Sequence, residues 1–295
     1  MAEIIDGKKI AEDIKREVRE ETAQLKSQNG VTPGLAFILV GENPASESYI
    51  RSKEKGCAES GFYSITERMP TGISQSTLLA KVRQFNEDPR IHGLLVQLPL
   101  PKHLNEEEVI EAISPAKDVD GFHPYNVGKL MIGADTFKPC TPAGIQEMLV
   151  RSGNDPSGKH VVVVGRSNIV GKPIANILLQ KQAGANAVVT VAHTGAKDLS
   201  VHTKSADILI AAIGKPRFIT GAMLRDGVVV IDVGINRVTD TAAKNGYRIV
   251  GDVDFESASK VARVISPVPG GVGLMTVAML LKNTLKAARN ATTRL

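Results

Sequence analysis

The sequence predicts an α/β protein of about two domains built on parallel sheets. Three observations lead there. The chain is 295 residues long, which suits two domains. Short apolar runs alternate along it with amphipathic stretches, the pattern of strands joined by crossover helices. Val161-Val162-Val163-Val164 is an unbroken β-branched run, suited to a strand buried on both faces of a parallel sheet.

The elements follow in order. Residues 8–28 place Ile10, Ile14, Val18 and Leu25 among charges before Asn29-Gly30, an amphipathic helix with a glycine stop. Residues 35–40 form a short buried strand. Gly41-Glu42-Asn43-Pro44-Ala45 is a loop, from which Ser46 is expected to cap a helix over residues 47–60. Residues 62–69 read as a strand. Residues 74–88 read as a helix with Leu78, Leu79, Val82 and Phe85 turned inward. A strand over 91–98 ends at Gln97-Leu98-Pro99-Leu100-Pro101, and a helix covers 105–113. Lys117-Asp118-Val119-Asp120-Gly121-Phe122-His123-Pro124 is rich in turn residues. Pro139-Cys140-Thr141-Pro142 leads into a helix through Val150, and residues 151–158 read as a link to the second domain.

The four-valine strand stops at Gly165, with a second glycine at Gly171. From Pro173, Ile174, Ile177 and Leu178 mark a helix. Strand, glycine turn and helix make the opening of a dinucleotide-binding βαβ unit, whose backbone N–H groups and helix N-terminus face a pyrophosphate. The spacing is not G-x-G-x-x-G, because Arg166-Ser167 follow the first glycine, so an ordinary strand–helix turn is the other reading. Strands over 187–192, 207–213 and 227–233 end at His193-Thr194-Gly195, at Gly214 and at Gly234-Ile235-Asn236. Glycine at strand ends permits close backbone approach to a ligand. Ser266-Pro267-Val268-Pro269-Gly270-Gly271-Val272-Gly273 is a stiff then flexible loop, and a helix over 275–288 closes the chain.

Composition narrows the function. Hydrophobic residues make up 42% and charged residues 23%, as in ordinary globular proteins, and with no Trp and 4% aromatics the core is aliphatic. The net charge of +5 is spread along the chain with no basic block. That suits a small anionic ligand and argues against nucleic acid. Cys57 and Cys140 are the two cysteines, too few for a disulfide framework or a Cys-rich zinc site. His92, His103, His123, His160 and His202 show no ligand spacing, so no metal is expected, and no Ser/His/Asp set is evident. The N-terminus has no signal-peptide core and no window approaches 18 apolar residues. A cytoplasmic protein without a membrane span is expected.

Four groups of residues could carry chemistry. In a dinucleotide fold the second strand usually ends in a carboxylate that binds the ribose 2′-OH. Here the position reads His193-Thr194, with Lys197 and Arg166 near in the pattern, so nothing repels a 2′-phosphate and NADP is favoured over NAD. The plainer reading is that His193 ends a strand and Arg166 is solvated. Tyr49 and Lys53, four apart, share a helix face on which an aromatic plane and an ammonium could meet a flat ligand and exchange a proton. Most such pairs are surface accidents. Short-chain dehydrogenases use this spacing after the glycine turn, whereas Lys53 precedes Gly165. Gln97 either orients the lysine or satisfies backbone groups. Asp118 and Asp120 are either turn builders or carboxylates that accept two N–H donors of a heterocycle.

Taken together these segments resemble one family. They are Tyr49-Ile50-Arg51-Ser52-Lys53, Asn86-Glu87-Asp88, Leu94-Leu95-Val96-Gln97-Leu98-Pro99-Leu100, Lys117-Asp118-Val119-Asp120-Gly121 and Pro139-Cys140-Thr141-Pro142. Val164-Gly165-Arg166-Ser167, Asp232-Val233-Gly234-Ile235-Asn236, Gly251-Asp252-Val253-Asp254 and Pro267-Val268-Pro269-Gly270-Gly271-Val272-Gly273 complete the set. The chain resembles, over nearly its full length, the bifunctional methylenetetrahydrofolate dehydrogenase/methenyltetrahydrofolate cyclohydrolases of one-carbon metabolism. The resemblance implies two α/β domains flanking a cleft, the second of Rossmann type. Residues 1–140 would bind folate, completed by a returning helix over 275–295, and residues 141–274 would bind NADP. It implies tetrahydrofolate derivatives as substrates, a role toward purine biosynthesis and a homodimer joined through the cofactor domains.

Residue by residue, it implies that Tyr49 stacks on the folate, Lys53 is the general acid/base of the cyclohydrolase step, Gln97 holds Lys53 and Asp120 grips the pterin. Pro269, Gly270 and Gly271 would line the folate pocket. Thr141, Arg166, Ser167 and Thr194 would contact the cofactor with Ile235 nearby, joined by Gly165, Ile169, His193 and Gly214 of the turn and strand ends. Two positions depart from the family pattern: Leu274 stands where proline follows Gly-Gly-Val-Gly, and Thr194 where many members have serine. Rival readings are a monofunctional dehydrogenase of this fold, a catalytically silent nucleotide-binding regulator, and an amino-acid or hydroxy-acid dehydrogenase. The last would want a base matched to a carboxylate-binding Arg, and no such pair stands out.

Overall fold

A computed structural model describes residues 2–243 and 246–292. The chain divides into two compact units. One comprises Glu12–Cys140 and the described part of Val277–Leu295; the other comprises Thr141–Thr276 and the described residues up to Ala11.

β1 (Glu3–Ile4) and the start of α1 (Gly7–Asn29) belong to the second of these units. The first unit then runs through β2 (Gly34–Val40), α2 (Pro44–Glu59), β3 (Tyr63–Met69), α3 (Gln75–Glu87), β4 (Gly93–Val96), α4 (Glu106–Ala112) and α5 (Pro124–Met131). Its sheet is parallel in the order β3-β2-β4. The central strand β2 is buried at every residue, as its unbroken apolar run requires. Leu78, Val82 and Phe85 of α3 pack on this sheet, with Leu79 partly buried beside them. Ile38 pairs with Val96, so Gln97 emerges at the carboxyl end of β4.

Helix α2 starts earlier than expected, because Asn43 rather than Ser46 is its N-cap. The Asn43 side chain accepts the N–H groups of Ala45 and Ser46, and Pro44 takes the first helical position. Helix α5 carries no clear sequence signal, because its turn-rich approach masks it. The His123 ring caps it by accepting the Tyr125 N–H.

The second unit continues with α6 (Cys140–Arg151), β5 (His160–Val164), α7 (Gly171–Leu179), β6 (Val188–Ala192), α8 (Leu199–Thr203), β7 (Ile208–Ala211), β8 (Val229–Asp232), β9 (Asn236–Thr239), β10 (Tyr247–Val250), α9 (Phe255–Ala258) and β11 (Val264–Ile265). Its sheet has the order β1-β11-β8-β7-β5-β6, parallel throughout. The first residues therefore group with this sheet and not with the rest of residues 1–140, because Glu3 and Ile4 pair with Val264 and Ile265. A two-residue strand leaves no period in the sequence. The antiparallel hairpin β9–β10 is likewise too short and too exposed to show one.

Helix α10 (Val272–Thr292) begins three residues before the expected start. Residues 293–295 of the returning helix lie outside the described residues. From Val277 onward it belongs to the first unit, where Gly56 admits the side chains of Val277 and Leu281, and Asn283 donates to the carbonyls of Val119 and Lys138. No helix among the described residues is long and apolar enough to cross a membrane.

Candidate functional site

Helix α2 carries Tyr49 and Lys53 one turn apart, in opposite environments: Tyr49 is 42% exposed and Lys53 only 6%. Lys53 Nζ donates to Gln97 Oε1 at 2.9 Å. Gln97 Nε2 donates to the Leu98 carbonyl at 2.7 Å, which orients the amide with its oxygen toward the lysine. Gln97 therefore makes contacts of both kinds, one end to backbone and the other to the Lys53 amine.

Burial lowers the pKa of Lys53, while the Asp120 carboxylate and, more weakly, Cys140 oppose that shift. Asp120 is pushed up from the usual carboxylate range by burial, against the pull of Lys53 and a hydrogen bond with the Cys140 thiol. The two aspartates of this segment divide the work. Asp118 builds the turn: it accepts the N–H groups of Gly121, Phe122 and His123 at 3.1, 3.2 and 2.9 Å, and the Asn126 amide at 2.8 Å. Asp120 is the one beside Lys53. Gly121 sits at a φ of +76°, where a Cβ would press on the backbone of Lys138 and Pro139.

Cys140 is the member of this cluster that sequence reasoning missed. Its thiol, 1% exposed, donates to the Val119 carbonyl at 3.4 Å and is raised well above its ordinary pKa, chiefly by burial. It is a neutral donor here. Only its place in Pro139-Cys140-Thr141-Pro142 marks it. An amine with a lowered pKa, held by an amide beside a carboxylate and one helical turn from an exposed phenol, is equipped to exchange protons with a flat ligand.

The second unit gathers the other residues at the carboxyl ends of its strands. β5 lies between β6 and β7, so successive crossovers leave it in opposite directions; such a switch point is where open α/β sheets bind ligands. Gly165 ends β5 at a φ of +138°, and a Cβ there would overlap the Ala212 carbonyl oxygen. A Cβ on Gly171 would in turn overlap the Gly165 carbonyl, so turn and helix come this close only because Gly171 has no side chain. Ser167 Oγ accepts the N–H groups of Val170 and Gly171 at 3.2 and 3.3 Å, and Arg166 to Ile169 are exposed.

After β6, His193 Nδ1 accepts the Gly195 N–H at 3.1 Å, and Thr194 is exposed. After β7, Gly214 has a φ of +74° with open space on its Cβ side. After β8, Ile235 is exposed. Thr141 shares a 2.9 Å hydroxyl contact with Thr276. Pro269, Gly270 and Gly271 belong to this same unit, in the loop before α10, where a Cβ on Gly271 would press on the Pro267 carbonyl. The expected set thus falls into two groups, Tyr49, Lys53, Gln97 and Asp120 in one unit and the strand-end and loop residues in the other.

Leu274 occupies the first turn of α10, 41% exposed, with its N–H donating to the Gly271 carbonyl at 3.2 Å. Proline suits the first turn of a helix, and the hydrogen bond it would remove is a terminal one. On the resemblance to folate enzymes, Leu274→Pro is therefore expected to change folate affinity modestly and turnover by less than about tenfold. A larger gain in turnover, measured on the purified variant, would show that this loop limits catalysis.

Comparison with known proteins matches a family domain to each of two stretches of the chain. Residues 5–120 match the tetrahydrofolate dehydrogenase/cyclohydrolase catalytic domain and residues 139–292 match the tetrahydrofolate dehydrogenase/cyclohydrolase NAD(P)-binding domain. The chain is 59% identical over 286 residues to the bifunctional protein FolD of Syntrophus aciditrophicus, covering 97% of each. The bifunctional FolD methylenetetrahydrofolate dehydrogenase/cyclohydrolase of Campylobacter jejuni superposes with a TM-score of 0.92 at 47% identity, with all of both chains covered. The Trypanosoma brucei enzyme of the same name, solved with NADP and an inhibitor, gives 0.92 at 40% identity over 98% of each chain. A two-unit α/β chain that matches both domains of one family in order and over nearly its whole length belongs to the tetrahydrofolate dehydrogenase/cyclohydrolase family.

Proposed function

We propose that the protein oxidises 5,10-methylenetetrahydrofolate to 5,10-methenyltetrahydrofolate with NADP and then hydrolyses the product to 10-formyltetrahydrofolate. The observation that carries the reading is the buried Lys53 amine, hydrogen-bonded to Gln97 beside Asp120, in a chain that matches both domains of this family.

The first step moves a hydride from the methylene bridge and leaves a resonance-stabilised cation. No proton need move, so placement of the two reactants carries much of the rate. Bound NADP supplies the hydride acceptor. The strand ends fit it: Gly165 and Gly171 let the turn pack closely on neighbouring backbone where a Cβ would collide, and His193-Thr194 offers no carboxylate against a 2′-phosphate. In this reading Thr141, Gly165, Arg166, Ser167, Ile169, His193, Thr194, Gly214 and Ile235 line the cofactor. Tyr49 stacks on the folate and Asp120 accepts its pterin N–H groups.

The second step adds water to the cation. Neutral Lys53 takes a proton from that water as its oxygen bonds to carbon; the resulting ammonium protonates the ring nitrogen as its bond to that carbon breaks, and the hydroxyl gives its remaining proton to solvent as the formyl C=O forms. One proton is released overall. A lowered pKa makes the neutral amine available for the first of these transfers.

A homodimer is part of the reading. β6 is an edge strand, and Val188 and Val191 on it are 65% and 43% exposed, an apolar edge of the kind proteins cover by pairing. Two buried free thiols accord with a cytoplasmic site. Light scattering is expected to return twice the chain mass, and Val191→Lys to shift it toward the monomer.

The function is tested with purified protein, 5,10-methylenetetrahydrofolate and NADP or NAD, following reduced nicotinamide and the methenyl absorbance together. Reduction of NADP with no lasting methenyl signal is expected. Reduction with accumulating methenyl would instead make it a monofunctional dehydrogenase. Binding of NADP without reduction would make it a silent nucleotide binder.

A further inference from the structure

Two buried carboxylates stand outside the candidate site residues. Asp232, the last residue of β8, is 4% exposed, and Asp252, two residues beyond β10, is 0% exposed. Main-chain N–H groups and one amide meet them. Asp232 Oδ1 accepts from the N–H groups of Gly234 and Asp252 at 3.0 and 2.9 Å, and Oδ2 from that of Val253 at 3.0 Å. Asp252 Oδ2 accepts from the N–H groups of Ile213 and Gly214 at 2.6 and 2.8 Å, and Oδ1 from Asn236 Nδ2 at 2.8 Å. Glycine makes room for both: a Cβ on Gly251 would overlap the Asp232 carboxylate, and one on Gly234 would overlap Asp252.

The bonds run as a relay. Asp232 fixes the main chain at Asp252, and the Asp252 side chain ties together two segments that follow different strands, Ile213-Gly214 after β7 and Asn236 after β8. Burying a carboxylate is costly even when it is well hydrogen-bonded. Two such groups converge on the strand ends that carry Gly214 and Ile235. Those ends lie on the side of β5 away from β6 and its His193-Thr194. A dinucleotide laid across the switch point, its 2′-phosphate toward β6, brings its nicotinamide half to β7 and β8.

We propose that Asp252, itself fixed by Asp232, is a positioning residue that sets the Gly214 turn and the Ile235 loop for the nicotinamide half of the cofactor. The inference rests on the reading that Gly214 and Ile235 face that cofactor. A carboxylate suits the task because it accepts from three donors at once, two of them successive backbone N–H groups that cannot turn away.

The test compares Asp252→Ala, Asp252→Asn and Ile235→Glu in the full-length protein. It reads the KM for NADP, the KM for methylenetetrahydrofolate, and hydrolysis of methenyltetrahydrofolate without cofactor. Asp252→Ala is expected to raise the KM for NADP by about tenfold or more, the loss of at least one hydrogen bond's worth of binding. Cofactor-free hydrolysis should stay within about threefold of wild type. Asp252→Asn keeps an acceptor for Ile213 and Gly214, and is expected to recover most of the loss. A role in folding alone would lower both activities together and leave the KM for NADP unchanged, and that result overturns the proposal.

Should Asp252→Ala not fold, Asn236→Ala removes one donor and leaves both carboxylates packed. A KM for NADP unmoved by it counts against the proposal in the same way. If Ile235→Glu also leaves that KM unchanged, the cofactor reading of these strand ends fails, and the proposal with it. If Ile235→Glu raises it and the Asp252 variants do not, positioning by Asp252 fails alone.

Discussion

Lys53→Ala is expected to cut hydrolysis of methenyltetrahydrofolate by about 10³-fold, within the range that a positioned acid/base contributes, and to leave NADP reduction within about threefold. The methenyl absorbance should then rise with reduced nicotinamide and persist, where wild type shows it only in passing. The asymmetry follows from proton bookkeeping. Hydride transfer requires no proton relay, whereas water addition and ring opening require one proton taken and one given. Lys53→Arg sharpens the test. Arginine keeps the positive charge and does not deprotonate in proteins, so it is expected to be as poor a hydrolase as the alanine variant. Hydrolysis retained in Lys53→Arg would show that charge and not proton transfer is what the site uses.

The pH profile has a definite sign. Burial lowers the Lys53 pKa below that of a free lysine, so the neutral base persists to lower pH than usual. Turnover for hydrolysis is therefore expected to fall as pH drops through that lowered value and to level off above it. Asp120 raises the lysine pKa by its negative charge. Asp120→Asn removes that charge and is expected to move the acid limb to lower pH, besides weakening folate binding. An acid limb that stays in place in Asp120→Asn would assign it to some other group.

Much of this was legible in the sequence for physical reasons, and the omissions have reasons too. The valines of β5 and the apolar run of β2 announce strands because a strand buried on both faces has no polar side to interrupt it. Tyr49 and Lys53 declare a shared face through helical spacing. The burial that makes Lys53 an unusual amine is tertiary, and no local pattern encodes it. Asp118 and Asp120 look alike in sequence; only the turn geometry shows that one is consumed by backbone donors. Cys140, Asp232 and Asp252 act through partners far along the chain, Cys140 alone reaching Val119 and Asn283. β1 and the hairpin β9–β10 are too short to carry a period, and Asn43 competes with Ser46 as a cap, although Pro44 beside it marks the first helical turn.

Gly165→Ala is the second substitution with a large expected effect. At φ +138° an L-residue is strained by its own backbone, and the added methyl would run into the carbonyl oxygen of Ala212 on the neighbouring chain segment. The obstacle is backbone, so no side chain can swing aside. The turn between β5 and α7 must move, and with it the N–H groups that would face a pyrophosphate. Binding of NADP is expected to weaken by about 100-fold or more, from strain of about 2–3 kcal/mol with the lost contacts added. Lys53, Gln97 and Asp120 belong to the other unit, so hydrolysis of methenyltetrahydrofolate supplied directly, without cofactor, is expected to stay within about threefold. Fluorescence titration with reduced cofactor and the cofactor-free assay separate the two. NADP affinity within threefold of wild type in a folded Gly165→Ala protein would mean that this turn does not cradle the cofactor, whatever its likeness to a dinucleotide loop. Loss of both activities with a lowered melting temperature would instead mark Gly165 as a residue the fold requires before any ligand arrives.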